Sequence, residues 1–110
     1  MAGGDKPGPQ REGGTESVTQ TRTRTALPRL YKVLLHNDDF TTMDFVVAIL
    51  ETVFNHGEAE ATAIMLSVHR TGVGVAGIYS YEVAETRVAQ VTGMARDAGY
   101  PLLCTLEPES

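Results

Sequence analysis

Leu30-Tyr31-Lys32-Val33-Leu34-Leu35-His36-Asn37-Asp38-Asp39-Phe40-Thr41-Thr42-Met43-Asp44-Phe45-Val46-Val47 decides the fold. Tyr31 to Leu35 is a β-branched and aromatic run, the signature of a short strand. It stops at Asn37-Asp38-Asp39, residues that favour a turn because their side chains bond the nearby backbone. Thr41-Thr42-Met43-Asp44 has the capping-box pattern, with Thr41 as N-cap and Asp44 reaching back. Met43, Val46, Val47, Leu50, Val53 and Phe54 then recur at i, i+3, i+4, i+7, i+10 and i+11, one apolar helical face. Asn55-His56-Gly57 ends that helix, with Gly57 as the expected break.

Downstream, the same reading predicts a second helix from about Glu58 to His69, with Ala61, Ile64, Met65 and Val68 as its inner stripe. Arg70-Thr71-Gly72 is a turn, and Val73 to Tyr79 a strand interrupted by Gly74 and Gly77. A third helix covers Tyr81 to Ala98 on a stripe of Ala84, Val88, Val91, Ala95 and Ala98; Gly99 caps it and Pro101 blocks its continuation. Leu102 to Leu106 is the closing strand. The order β-α-α-β-α-β implies an α/β (α+β) two-layer sandwich, a small antiparallel sheet of about three strands packed by three helices.

Upstream, residues 1–29 read as a disordered extension and 30–110 as one domain. Between Met1 and Thr25 only Met1 and Val18 are sizeable apolar residues, too few to offset the entropy of ordering the segment. The chain has 110 residues, enough for one domain. Its net charge of −5 is uneven: residues 1–29 carry five Lys/Arg against three Asp/Glu, and residues 30–110 four against eleven. So acidic a body argues against nucleic acid, whose binding rests on phosphate neutralisation. There is no apolar run near the roughly 18 residues that span a bilayer and no apolar signal-peptide core in Met1 to Thr25, so a cytoplasmic protein with no membrane association is expected. Cys104 is the only cysteine, read as a small buried hydrophobe.

Two features could carry chemistry. The Asn37-Asp38-Asp39 corner suits a turn or a helix cap, and from the residues alone that structural role is the stronger of the two. The functional reading is a cation site, because carboxylates accept hydrogen bonds only and so suit an ammonium donor. His69, at the end of an apolar stripe, is either a satisfied edge histidine or an acceptor for such an amine. His36, Asp38, Asp39 and His69 also make a conceivable metal set for a small hydrolase, but HxxxH, HxH and HExxH spacings are missing. Gly72 to Gly77 has glycines at loop-like spacing without the following Lys-Ser/Thr of a phosphate loop. Met43 and Met65 fit a core, or a pocket that accepts several bulky side chains.

The residues 30–47 quoted above resemble the opening block of the ClpS adaptor family. Ile64 to His69, Gly74 to Tyr79, Glu82 to Arg87 and Pro101 to Thr105 resemble its later blocks, in order. The resemblance implies a non-enzymatic adaptor, without cofactor or metal, that binds proteins starting with Phe, Tyr, Trp or Leu and delivers them to the ClpA-type AAA+ unfoldase of the Clp protease. It implies that Asn37, Asp38 and His69, with Asp39 close by, take the substrate's α-amino group. It implies that Thr41, Met43, Val46, Met65, Val68 and Leu102 line the side-chain pocket, with Met43 excluding β-branched residues. Tyr81, Glu82 and Arg87 would face the ATPase, the N-terminal extension would engage it during delivery, and the protein would be a monomer. Thr42 replaces a usual Pro, Phe40 a frequent Tyr, Arg87 a frequent Lys and Ala76 a common Cys. A different function class, a docking domain without a pocket, resembles the ribosomal stalk protein's C-terminal domain.

Overall fold

The computed structural model describes residues 27–110; the expected disordered extension lies, apart from its last three residues, outside the described residues. The elements are β1 (Leu30–His36), α1 (Met43–Thr52), α2 (Glu58–Thr71), β2 (Val73–Ser80), α3 (Tyr81–Ala98) and β3 (Leu103–Pro108). β1 is the central strand of a three-stranded antiparallel sheet, in the order β2-β1-β3. Its alternation sends Val33 and Leu35 into the core, both fully buried, opposite Gly77 and Gly74 of β2. The ladder slips between Val33 and Leu34, which gives β2 one extra residue, the buried Ala76. On the other side Leu35 faces Cys104, whose burial pushes its thiol up to about 12 and leaves it an inert hydrophobe.

The helices pack on the Val33–Leu35 face. Val46, Ile49 and Leu50 of α1, Ala61, Met65 and Val68 of α2, and Ala84, Val91 and Ala95 of α3 fill the core. The observed stripes differ from the expected ones at their margins. Ile49 is fully buried beside Leu50, so α1 buries a wider face than one row of positions. Met43 and Ala98, at the ends of their stripes, are exposed. Two caps also move. Thr42 rather than Thr41 is the N-cap of α1, accepting a hydrogen bond from the Phe45 amide at 3.1 Å; Thr41 is already engaged by Asp38. Gly57 does not break α1. The helix ends at Thr52, Asn55 takes the left-handed conformation (φ 61°), and Gly57 is the extended N-cap of α2. Asn is the residue, after Gly, that best tolerates this region. α2 runs two residues past the expected end, to Thr71, where Gly72 (φ 93°) closes it and its amide bonds Val68 O at 2.9 Å.

Candidate functional site

Four short segments meet where β1 runs out. His36 closes the strand and turns to the sheet's other face, its Nε2 2.8 Å from Thr105 Oγ1 on β3. The next amide, Asn37 N–H, donates to Gly72 O at 2.9 Å and ties the corner to the α2–β2 turn. Asp38 then organises the loop with both carboxylate oxygens. Oδ1 accepts from the Phe40 and Thr41 amides, both at 2.7 Å, and Oδ2 accepts from the Thr41 hydroxyl at 2.8 Å. Burial works to raise the Asp38 pKa, but the bonds from Thr41 and Phe40 outweigh it and hold the carboxyl below the ordinary aspartate value. It is therefore a carboxylate at neutral pH.

α1 starts immediately after this corner and α2 ends beside it. Met65, Val68 and His69, spaced i, i+3, i+4, share the face of α2 that looks at the start of α1. Between the two lies a cavity of about 250 Å³. Its polar side is Asn37, Asp38, Asp39 and His69; its apolar side is Met43, Val46, Met65 and Val68, with Thr41 between. Val46, Met65 and Val68 are buried and form the floor, whereas Asn37, Asp39, Met43 and His69 are exposed at the mouth. The structure thus brings nine of the ten expected substrate residues around one space. Leu102 is the exception. It is buried in the core just before β3, the strand on the far side of β1 from β2, and does not line the cavity.

The three residues expected to face an ATPase lie elsewhere, on the first two turns of α3. Tyr81 is exposed, its ring edge-on to Tyr31 at 5.1 Å and its hydroxyl donating to Glu85 Oε2 at 3.2 Å. That bond to Glu85, with its charge, pushes the Tyr81 hydroxyl pKa up. Glu82 is exposed. Arg87 is half-buried, with its guanidinium carbon 5.6 Å from the Tyr79 ring centroid and Nη1 donating to Gln90 Oε1 at 3.3 Å. Its Nε is buried without a partner, so much of this side chain is packing.

The conceivable metal set does not assemble, since His36 is bonded to Thr105 and lies outside the cavity lining. Among the described residues no three His, Cys, Asp or Glu side chains come together as a metal site, and no helix is long and apolar enough to cross a membrane. The engagement of Asp38 by Thr41 was not foreseen; its signal is the Asp-x-x-Thr spacing at a turn, in which an Asx-type bond and a hydroxyl donor coincide.

A cavity with carboxylate acceptors at one end and an apolar floor at the other accommodates a cationic donor attached directly to an apolar group. The sequence model described as "ATP-dependent Clp protease adaptor protein ClpS" matches residues 26–105. The chain belongs to the ClpS family. Among its relatives, a ClpS of Desulfatibacillum aliphaticivorans is 53% identical over 94% of this chain and 98% of its own. One of Parvibaculum lavamentivorans is 56% identical over 87% of both chains. Both are ATP-dependent Clp protease adapter proteins. The solved structure of Agrobacterium tumefaciens ClpS2 bound to L-phenylalaninamide superposes with a TM-score of 0.72 at 40% identity, covering 74% of this chain and 99% of that one. As a ClpS, the chain is an adaptor of the Clp protease, and the three-stranded sheet with three helices is the family's fold.

Proposed function

We propose that this ClpS is a non-enzymatic carrier that captures proteins through a free, bulky hydrophobic N-terminal residue (Phe, Tyr, Trp or Leu) and passes them to a ClpA-type AAA+ unfoldase. The observation that carries the reading is the meeting, in one cavity, of the Asn37-Asp38-Asp39 corner and His69 with the floor of Val46, Met65 and Val68. An N-terminal residue presents an ammonium and a side chain on the same carbon, and the cavity has an acceptor end and an apolar end in contact. L-phenylalaninamide, the molecule bound by the Agrobacterium relative, is such a ligand. Size agrees: an engineered apolar cavity of about 150 Å³ holds benzene, and this one is larger.

In this reading Asp38 and Asn37 accept protons of the α-ammonium, His69 accepts another through a neutral ring nitrogen, and Asp39 adds charge at the mouth. Met43 narrows the rim against β-branched residues. Hydrogen bonds to a charged group contribute about 1.5–3 kcal/mol each, and burying one large apolar side chain about 1.5–3 kcal/mol. After the cost of association, Kd values in the micromolar range are expected, weak enough for a carrier to let go. Exposed Glu82 and Tyr81, with the outer donors of Arg87, form the contact for the ATPase, and residues 1–29 act with it during delivery.

The deciding experiment titrates the protein with two fluorescent peptides that begin with Phe and differ only in acetylation of the first amine. The free peptide is expected to bind and the acetylated one not, because acetylation removes the charge and leaves desolvated acceptors unpaired. Equal binding overturns the α-amine mechanism.

A further inference from the structure

On the reading of the cavity just given, we infer that Gly74 is a positioning residue that sets the width of the first-residue pocket by leaving room for Val68. Gly74 does not itself line the cavity. It lies on β2, paired with the fully buried Leu35 of the central strand. Behind it runs the last part of α2. A Cβ built on Gly74 would stand 2.6 Å from Val68 Cγ2, against 3.6 Å from Val68 N and 3.8 Å from Ile64 O. The two backbone distances are ordinary contacts, and only the Val68 methyl is in the way.

What must then move is the side chain. The strand is held by its ladder to β1. The end of the helix is held by Gly72, whose amide bonds Val68 O and whose carbonyl accepts from Asn37, both at 2.9 Å. Rotating Val68 to another χ1 is disfavoured, since a valine in a helix has one strongly preferred rotamer, so the methyl is displaced within that rotamer. Ordinary contact begins at 3.4 Å, so the methyl has to yield by about 0.8 Å. Val68 is only 3% exposed, and the free volume it borders is the cavity whose floor it forms. A side chain at position 74 therefore drives Val68 into the space where the ligand's first side chain sits. The largest ligands lose most, and the polar corner is untouched.

The test measures Kd for three peptides that begin with free Trp, Phe and Leu and are otherwise identical, using the full chain. Gly74→Ala is expected to weaken the Trp peptide at least about tenfold more than the Leu peptide, the scale of one misplaced methyl-sized group in a pocket. Val68→Ala, which removes the colliding methyl, supplies the reference: G74A added to V68A is expected to change the Trp-to-Leu ratio far less than G74A changes it in the wild-type chain. An unchanged ratio in G74A, or equal losses for all three peptides, overturns the proposal, because a merely structural glycine would lower stability without changing selectivity. Should G74A not fold, the V68A background decides: a G74A/V68A variant that folds and keeps the Trp-to-Leu ratio of V68A supports the proposal, and one that is unfolded where V68A alone is folded overturns it. Wild-type protein that binds none of the peptides refutes the reading of the cavity, a result distinct from failure of the role of Gly74.

Discussion

Asp38 has two roles that one pair of substitutions can separate. Its carboxylate accepts three hydrogen bonds from the loop that starts α1, and in the proposed function it also faces the substrate's ammonium. Asp38→Asn preserves the shape. The amide oxygen can still accept both backbone N–H groups, and its NH₂ can donate to Thr41 once the hydroxyl rotates. What disappears is the charge. Neutral hydrogen bonds have roughly half the strength of charge-assisted ones, so the corner should lose about 1 kcal/mol, or about 5 °C in Tm for a domain of this size. Binding should lose more, since a bond to the ligand's charge is worth about 2 kcal/mol, about 30-fold in Kd. Asp38→Ala removes all three loop bonds. At about 1 kcal/mol each, discounted for the partial exposure of the corner, the loss is about 2 kcal/mol and on the order of 10 °C. Peptide titrations and thermal melts of the two variants, side by side, make the assay. D38N that binds a Phe-initiated peptide as wild type does refutes Asp38 as amine acceptor; D38A that melts with wild type refutes its role as organiser of the loop. The melts have a pH signature. The folded carboxyl titrates below its unfolded value, so its stabilisation is present above the unfolded pKa of about 3.9 and is lost as pH falls through the folded value. The difference between wild type and D38N should therefore shrink as pH drops through that window.

Met43 stands at the rim, 45% exposed, so Met43→Ala should admit Ile- and Val-initiated peptides with little effect on Phe, read from the same titration; unchanged selectivity would show that Met43 is not the gate. Ile49 is fully buried and does not line the cavity, so Ile49→Ala should cost about 3 kcal/mol of stability in chemical denaturation while leaving peptide Kd unchanged at temperatures where the variant is folded.

Where the elements lie was legible because periodicity and punctuation agree: the Asx corner after β1, Gly72 and Gly99 behind their helices, and Pro101 before β3. The caps of α1 were harder to read, since Thr41 and Thr42 are adjacent and chemically identical. Which of them caps depends on Asp38 engaging Thr41 first, a three-dimensional preference. Asn55 displaced Gly57 for a related reason, as several residues in that turn could have taken the left-handed conformation. The apolar floor illustrates a deeper limit. Val46, Met65 and Val68 have the pattern of core residues and are buried like core residues; whether a helix face meets a neighbour or a void depends on how far apart α1 and α2 are held at the corner. Leu102, which the resemblance places in the wall, is buried to the same degree as Val46 and Met65 without lining the cavity, a distinction that no pattern in the sequence carries. The choice between a structural and a functional Asp38 was itself too narrow. The loop bonds demonstrate the structural role, and they leave the carboxylate ionised on the cavity wall.

The central position of β1 has a mechanical corollary. Residues that precede Leu30 lead directly into the strand flanked by β2 and β3, and in antiparallel pairs the inter-strand bonds run perpendicular to the strand. Tension applied along β1 from its N-terminal side would load both ladders at once in shear, instead of peeling one bond at a time from an edge. Traction on that end is thus the hardest way to unravel this domain, so a machine that grips the N-terminal extension would hold the adaptor by its strongest point.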